Sequence, residues 1–197
     1  MNKAFFFDRD GVLNNMVYRH EEEYGTMMDC APLNTSELEI NKNAKKIIDY
    51  TKNKGFFPII ITNQPDYLKK NILLKTYEDI TTKLCQELEL DRSQILECFH
   101  KEGFSLECKC RKPAPGLFLM AKGLYNLNLK QSWMLGDSWK DIKAAENAGI
   151  ENTVFLKRGA LQGKNIGNKE HEIKMLQLKL KPKYFINNLL ELIDILK

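Results

Sequence analysis

Short apolar runs alternate along the chain with stretches in which apolar side chains recur every three or four positions. The runs predict buried β-strands and the periodic stretches predict amphipathic helices. The Ile-Ile-Ile run within residues 56–62 has no polar alternation, which is typical of a parallel strand covered on both faces. In chain order, the predicted strands are 4–7, 56–62, 95–99, 132–135 and 153–156, and the predicted helices are 40–54, 76–90, 115–125, 139–148 and 186–196.

This alternation of strands and helices indicates an α/β fold, in which a central parallel sheet lies between two layers of helices in a Rossmann-like arrangement. We find no internal repeat and no linker, and a chain of 197 residues can bury one core, so we predict a single domain over residues 1–197. Folds of this class carry their active sites at the carboxyl ends of the strands.

Composition and charge narrow the class of protein. Hydrophobic residues make up 43% and charged residues 28% of the chain, as in globular proteins. No apolar run approaches the roughly 20 residues of a membrane span, and the start lacks a signal-peptide pattern, so we expect a cytoplasmic location. The net charge of +4 is modest, and we interpret the basic segment 157–183 as a solvated surface loop without nucleic-acid binding.

Polar residues whose side chains are capable of catalysis follow several of the predicted strands. Phosphoryl transfer needs a nucleophile, a proton donor for the leaving oxygen, a divalent cation and fixed positive charge on the phosphoryl oxygens. A turn-forming role for the first two aspartates and a helix-dipole role for the last one are the alternatives. The candidates for these four tasks are Asp8, Asp10, Thr62, Lys112, Asp137 and Asp141.

Four motifs, FFDRDGVLN, IITNQ, RKPAPG and GDSWKDIKAAENAG, occur in this order between residues 4 and 156. Together they resemble the haloacid dehalogenase superfamily of phosphatases. The resemblance implies that Asp8 attacks phosphorus and forms an aspartyl-phosphate, and that Asp10 protonates the leaving oxygen and then activates water. We expect Asp8 to stay ionised on the cation, and Asp10 to be held protonated by that neighbouring charge and by partial burial.

The resemblance also implies where the remaining groups act. Mg²⁺ is expected on the side chain of Asp8, the backbone carbonyl of Asp10 and the side chain of Asp137. Thr62 and Lys112 are expected to bind the transferring phosphoryl group. Asp141 is expected to support the metal site or Lys112.

A second cluster of possible ligands lies in ECFHKEGFSLECKCRKP. Cys98, His100, Cys108 and Cys110 form a complete set for tetrahedral zinc, and the alternative is four reduced residues of the core or a loop. The odd total of five cysteines argues against a disulfide framework, and we interpret the other two as ordinary thiols.

A Cys-x-His followed by Cys-x-Cys-Arg-Lys-Pro resembles one branch of the superfamily, subfamily IIIA. This branch contains the heptose 1,7-bisphosphate and histidinol-phosphate phosphatases, and in it a structural zinc orders the loop that leads to the catalytic lysine. Relatives with a separate cap domain insert it after the first or second motif, and the stretch from Thr62 to Lys112 is too short for one. We therefore expect an open site walled by loops.

The resemblance implies a Mg²⁺-dependent phosphatase of a small metabolite. Its expected reaction is removal of the 7-phosphate of D-glycero-D-manno-heptose 1,7-bisphosphate, or hydrolysis of a related sugar phosphate in lipopolysaccharide or nucleotide-sugar synthesis. Histidinol-phosphate hydrolysis is the alternative, followed by a polynucleotide 3′-phosphatase or a non-catalytic binding module. We expect a monomer without a membrane partner. The expected substrate contacts are Asn63, Arg111, Lys112, Arg19 and Lys69.

Overall fold

The computed structural model describes residues 2–21, 25–70, 72–100, 108–159 and 167–197. Its strands are β1 (Ala4–Phe7), β2 (Val17–Glu21), β3 (Thr26–Cys30), β4 (Phe57–Asn63), β5 (Ile95–Cys98), β6 (Trp133–Gly136), β7 (Asn152–Leu156) and β8 (Tyr184–Ile186). Its helices are α1 (Ala44–Asn53), α2 (Asp66–Lys69), α3 (Leu74–Leu88), α4 (Gly116–Tyr125), α5 (Trp139–Asn147), α6 (Lys169–Leu178) and α7 (Glu191–Ile195).

Six of the strands form one parallel sheet in the order β5-β4-β1-β6-β7-β8. The two faces of β1 belong to different cores, because successive side chains of a strand point to opposite faces. Phe5 and Phe7 pack against residues of α1, α3 and α7, whereas Ala4 and Phe6 pack against residues of α4 and α5. The predicted three-layer α/β fold is confirmed, and the five predicted strands lie where the sequence placed them to within a residue at each end.

The C-terminal prediction of one helix over residues 186–196 is wrong. Ile186 ends β8, whose residues pair in register with Val154, Phe155 and Leu156 of β7. The helix α7 begins only at Glu191. The apolar spacing of a three-residue strand followed by a short helix resembles one longer helix, which is why the sequence pattern misled.

Three elements near the site were not predicted. The strands β2 and β3 form an antiparallel hairpin, separate from the main sheet, in which Arg19 pairs with Met28. The short helix α2 follows β4. The third is α6, which lies inside the basic segment interpreted from sequence as a solvated loop. Within the described ranges, no helix combines the length and the apolar character of a membrane span.

Candidate active site

The sheet order brings the predicted catalytic residues together. The strands β4, β1 and β6 are neighbours. β1 ends just before Asp8, β4 ends one residue after Thr62, and β6 ends just before Asp137. The backbone N–H of Asp8 donates to the carbonyl of Leu135 over 3.0 Å, which extends the β1–β6 ladder to the nucleophile candidate. Asp8, Asp10, Thr62, Lys112, Asp137 and Asp141 all line one cleft of about 360 Å³.

Lys112 lies at the floor of this cleft with a side chain that is 3% exposed. Its Nζ is 2.8 Å from Asp8 Oδ1 and 2.5 Å from Asp141 Oδ1. It also donates to the carbonyl of Ile61 over 2.8 Å. Burial alone lowers the pKa of this ammonium, but the carboxylates of Asp141 and Asp8 outweigh burial and raise it. Lys112 therefore supplies a permanent positive charge beside Asp8.

Asp8 is held in place by a hydrogen bond, and its surroundings disfavour its ionised form. Its Oδ1 accepts a hydrogen bond from the backbone N–H of Arg9 over 2.7 Å. Burial, followed by the neighbouring charge of Asp141, raises the pKa of Asp8 to about 7, although Lys112 opposes this shift. An ionised nucleophile at neutral pH, as expected from the resemblance, would be favoured by a divalent cation among these carboxylates.

Asp10 is surrounded by hydrogen-bond donors. The buried guanidinium of Arg9 reaches both carboxylate oxygens, over 3.2 Å from Nε and 3.0 Å from Nη2. Asn14 donates to Oδ1 over 3.0 Å, and Gln64 donates to Oδ2 over 2.5 Å. The carboxylate therefore has a fixed orientation at the cleft wall, as an acid–base group requires.

Asp137 and the loop after β7 form the opposite wall. Arg158 donates from Nε to Asp137 Oδ2 over 2.5 Å, and its Nη1 donates to Asp29 of β3 over 2.9 Å. The side chain of Asn168 donates to the backbone carbonyls of Asp137 and Leu156 over 2.6 and 2.7 Å. Burial raises the pKa of Asp137, while Arg158 lowers it. Arg158 thus joins the hairpin to a predicted metal ligand.

Asp141 uses its two carboxylate oxygens for two different contacts, one with a helix start and one with Lys112. Its Oδ2 accepts from the backbone N–H of Ser138 over 3.0 Å, within a capping box at the start of α5. Its other oxygen forms the ion pair with Lys112. The structure thus places Asp141 in the first turn of α5, where the sequence allowed a helix-dipole role, and also beside Lys112, which it was expected to support.

Three expected substrate contacts are hydrogen-bonded to the protein's own groups, and two of them lie outside the cleft lining. Arg111 donates to the carbonyl of His100, and Arg19 donates to the carbonyl of Ala31 and pairs with Glu37. Neither arginine is among the described residues that line the cleft, because each is committed to the protein's own oxygens. Asn63 borders the cleft, but its amide is clamped to the backbone of Lys112, accepting from N–H over 3.0 Å and donating to C=O over 3.1 Å.

Lys69 does line the cleft, on the short helix α2. The outer part of the cleft also contains residues that the sequence did not single out as site residues. Arg158 and His171 come from the segment around α6, and Asp29 and Glu21 come from the hairpin. Pocket-lining residues of this kind carry no local motif, so only the folded chain brings them to the site.

The Cys/His cluster is assembled at the end of β5. The sulfurs of Cys98, Cys108 and Cys110 are 3.1–3.8 Å apart, and each lies 3.3 or 3.4 Å from Nδ1 of His100. These cysteines are free thiols. Tetrahedral zinc with bonds of about 2.3 Å would place its sulfurs about 3.8 Å apart, close to the observed spacing.

The chemistry of this donor set fits a metal ion. Burial raises the pKa of Cys98, and burial together with Cys98 and Cys108 raises the pKa of Cys110 to about 12. A thiol cluster at this spacing gains its charge compensation from a divalent cation, which displaces the thiol protons. Carboxylate oxygens of Asp8, Asp137 and Asp141 likewise lie within 4.8 Å of one another, an all-oxygen set suited to Mg²⁺.

The fold and the site together define a haloacid dehalogenase-like hydrolase. The family model of haloacid dehalogenase-like hydrolases matches residues 29–149, and that of HAD-hydrolase-like proteins matches residues 109–192. The chain belongs to this family.

Within this family, the chain is similar to particular phosphatases in sequence and to one solved structure in fold. The chain is 31% identical over 166 residues to D-glycero-β-D-manno-heptose-1,7-bisphosphate 7-phosphatase of Helicobacter pylori strain J99, covering 82% of this chain and 87% of the relative. It is 33% identical over 167 residues to D-glycero-α-D-manno-heptose-1,7-bisphosphate 7-phosphatase of Photorhabdus laumondii, covering 80% and 84%. D,D-heptose 1,7-bisphosphate phosphatase from B. bronchiseptica, solved with magnesium and phosphate, has the same fold, with a TM-score of 0.70, 20% identity, and coverage of 95% and 93%.

Proposed function

We propose that this protein is a Mg²⁺-dependent phosphatase that removes the 7-phosphate from a D-glycero-D-manno-heptose 1,7-bisphosphate. The observation that carries the proposal is that Asp8 and Asp137, at the ends of neighbouring strands, meet Lys112 in one cleft of about 360 Å³. The names of the H. pylori and P. laumondii relatives supply the substrate. Because those names specify opposite anomers, both anomers belong in the test.

The proposed chemistry assigns one task to each side chain. The Asp8 carboxylate attacks phosphorus, and the bond to the leaving sugar oxygen breaks as Asp10 gives that oxygen a proton. Asp10 then takes a proton from water, which hydrolyses the aspartyl-phosphate and regenerates Asp8. Lys112 and the Thr62 hydroxyl face the phosphoryl oxygens, where negative charge develops.

Metal ions have two separate places in this proposal. Mg²⁺ would be held by Asp8, Asp137 and the backbone carbonyl of Asp10, and when bound it supplies positive charge to the phosphoryl oxygens. Zn²⁺ would be held by Cys98, His100, Cys108 and Cys110, away from the reacting atoms. We further propose that the chain acts as a monomer, with Lys69 contacting the part of the substrate that is not transferred.

The experiment is phosphate release with Mg²⁺ from a panel of substrates. The panel holds both anomers of the heptose bisphosphate, histidinol phosphate, other sugar phosphates and a 3′-phosphorylated oligonucleotide. Asp8→Asn is the blank, and Asp49→Asn, which alters a surface carboxylate paired with Lys45, is the matched control. We expect one heptose anomer to exceed every other compound in kcat/KM, and Asp8→Asn to lose at least about 10⁴-fold in kcat.

Two results would contradict the proposal at different levels. Preference for histidinol phosphate or the oligonucleotide would replace the substrate and keep the phosphatase. Folded, metal-loaded protein that turns over nothing would support a binding module, and so would an Asp8→Asn variant as active as the unaltered protein.

A further inference from the structure

Gln64 lies directly behind the phosphoryl site and contacts three functional groups. Its Oε1 accepts a hydrogen bond from Arg9 Nη2 over 2.7 Å. Its Nε2 donates to Asp10 Oδ2 over 2.5 Å and to Thr62 Oγ1 over 2.9 Å. Thr62 lines the cleft, whereas Gln64 is 3% exposed and is not among the described lining residues.

The chemistry of its neighbours fixes which way the Gln64 amide points. A guanidinium has only donors, so Arg9 must face the amide oxygen. Asp10 Oδ2 already accepts from the Arg9 guanidinium, so this oxygen acts as an acceptor and faces the amide nitrogen. Both neighbours demand the same orientation, and Thr62 lies on the nitrogen side.

This orientation determines what the Thr62 hydroxyl can do. Because an amide N–H₂ group can only donate, Thr62 Oγ1 must be the acceptor in their hydrogen bond. The single hydroxyl proton then remains for another partner. Within the parts of the chain that the structure describes, no protein group accepts it, and the open side of Thr62 is the cleft.

We infer that Gln64 is a positioning residue that makes the Thr62 hydroxyl a hydrogen-bond donor toward the phosphoryl group. Arg9 is the anchor of this relay, since it holds the amide oxygen and so keeps the amide nitrogen on Thr62 and Asp10. The same amide nitrogen holds Asp10, so the acid–base group and the phosphoryl-binding hydroxyl share one orienting contact.

The surroundings keep Gln64 from turning. Arg9 is 1% exposed, and Thr62 is also 1% exposed, so water does not compete for these hydrogen bonds. The backbone N–H of Gln64 donates to the carbonyl of Cys98 over 2.7 Å. The relay is thus tied at its backbone to the first residue of the Cys/His cluster.

The test measures binding of inorganic phosphate, the product, by calorimetry in the presence of Mg²⁺. Thr62→Val removes the hydroxyl, and Gln64→Met removes the amide at similar volume. We expect each variant to weaken phosphate binding about tenfold or more, as for loss of a hydrogen bond to a charged group. We expect the double variant to bind no more weakly than Thr62→Val alone. In a Thr62→Ser background, which keeps a hydroxyl, Gln64→Met should again weaken phosphate binding, as it does in the unaltered protein.

Gln94→Met is the matched control, because Gln94 is also a buried glutamine and donates to the carbonyl of Pro58 at a distance from the cleft. It should leave phosphate affinity unchanged. If Gln64→Met does not fold, Gln64→Glu keeps the volume and the Arg9 contact while offering Thr62 an acceptor in place of a donor. Its loss of affinity should then be smaller in a Thr62→Val background.

Multiplicative losses in the double variant, or an unchanged affinity in Gln64→Met, would overturn the inference. The inference rests on the proposed phosphatase chemistry but not on the heptose. A wrong sugar would leave phosphate binding intact, so failure of the substrate assignment is distinguishable. Unaltered protein that binds no phosphate with Mg²⁺ present would overturn the phosphoryl site and the relay together.

Discussion

The Lys112 ammonium lies within 2.8 Å of three protein oxygens, namely the Ile61 carbonyl and one carboxylate oxygen each of Asp8 and Asp141. A phosphoryl group arriving at Asp8 therefore meets an ammonium whose position is already fixed. Fixed charge in a water-poor site stabilises a developing anion without the cost of reorganisation. We propose that Asp141 holds this charge in place.

The variant Asp141→Asn tests that role. We expect kcat/KM to fall at least about tenfold, because Lys112 loses the partner that fixes its ammonium. Asp194→Asn, which removes an exposed carboxylate paired with Lys197, is the control and should keep full activity. If Asp141 acted only as a helix cap, the variant would lose thermal stability and retain kcat/KM.

The sequence identified the residues of the cleft that belong to local motifs. Asp8, Asp10 and Asp137 follow strand ends closely in sequence, and the carboxyl ends of parallel strands all lie at the same edge of the sheet, where the active site forms. Arg158 and Gln64 were not predicted, because their roles arise from contacts with residues distant in sequence. Arg111 and Arg19 were expected in the cleft, but nearby carbonyls and Glu37 hold them elsewhere.

At the scale of elements, the start of α4 packs against the loop of the Cys/His cluster. Gly116 donates its backbone N–H to the carbonyl of Lys109 over 2.8 Å. A Cβ at position 116 would collide with that same backbone carbonyl, whereas a Cβ at Gly123, on the same helix, would meet nothing within 4 Å. The two glycines form a matched pair.

We expect Gly116→Ala to lower the free energy of unfolding by about 1–3 kcal/mol, since backbone must move to admit the methyl group. Gly123→Ala should raise it by about 0.5–1 kcal/mol, because alanine is the better helix former. Urea unfolding of both variants measures the difference. Changes in the free energy of unfolding that have the same sign and size in both variants would contradict the close contact between Gly116 and the Lys109 carbonyl.

The Cys/His cluster is connected to Lys112 through the backbone. Cys110 precedes Lys112 by two residues, and Asn63 clamps the Lys112 backbone from β4. We expect Cys110→Ser to lose bound zinc and to lower kcat at least about tenfold with Mg²⁺ in excess, because the loop no longer places Lys112.

Zinc content by mass spectrometry and kcat together check this expectation. Cys85→Ser, which alters a buried thiol outside the cluster, is the control and should retain both zinc and activity. A Cys110→Ser protein without zinc but with unchanged kcat would separate the cluster from catalysis.

Element prediction succeeded where the apolar pattern was continuous and failed where elements were short. The strands β1 and β4 are buried on both faces and were recognised from their apolar runs. The hairpin was missed because its strands mix apolar and charged residues without a long apolar run and bury one side chain, that of Cys30. The helix α6 was missed because it lies in a basic segment with one buried residue, Met175.

The whole molecule concentrates buried carboxylates at one edge of its sheet, and this links stability to pH. Burial raises the pKa of Asp8 to about 7 and also raises the pKa of Asp137 and Asp141. Between the ordinary aspartate pKa of about 4 and the folded value, the folded protein binds more protons than the unfolded chain. The contribution of these groups to the free energy of unfolding of the metal-free protein therefore falls as pH rises through that window. Above the window, this contribution is constant.

Mg²⁺ should stabilise the protein more at about pH 8 than at about pH 5.5, because at lower pH it must displace protons from the same carboxylates. Melting temperatures with and without Mg²⁺ at the two pH values measure this difference. Asp8→Asn is the control, and its Mg²⁺-dependent increment should be smaller and less dependent on pH. An increment in the unaltered protein that is larger at the lower pH would contradict the described electrostatics.

The hairpin of β2 and β3 has a consequence for how this enzyme can diversify. It forms its own two-stranded sheet, lines the outer cleft, and is tied to the reaction centre by Arg158. By contrast, Asp8 and Asp137 directly follow β1 and β6, Asp141 lies on α5, and Lys112 lies in the turn before α4. We therefore expect changes in the hairpin to alter the choice of sugar more than the attack on phosphorus, so that a hairpin variant with altered sugar preference should still cleave a generic aryl phosphate.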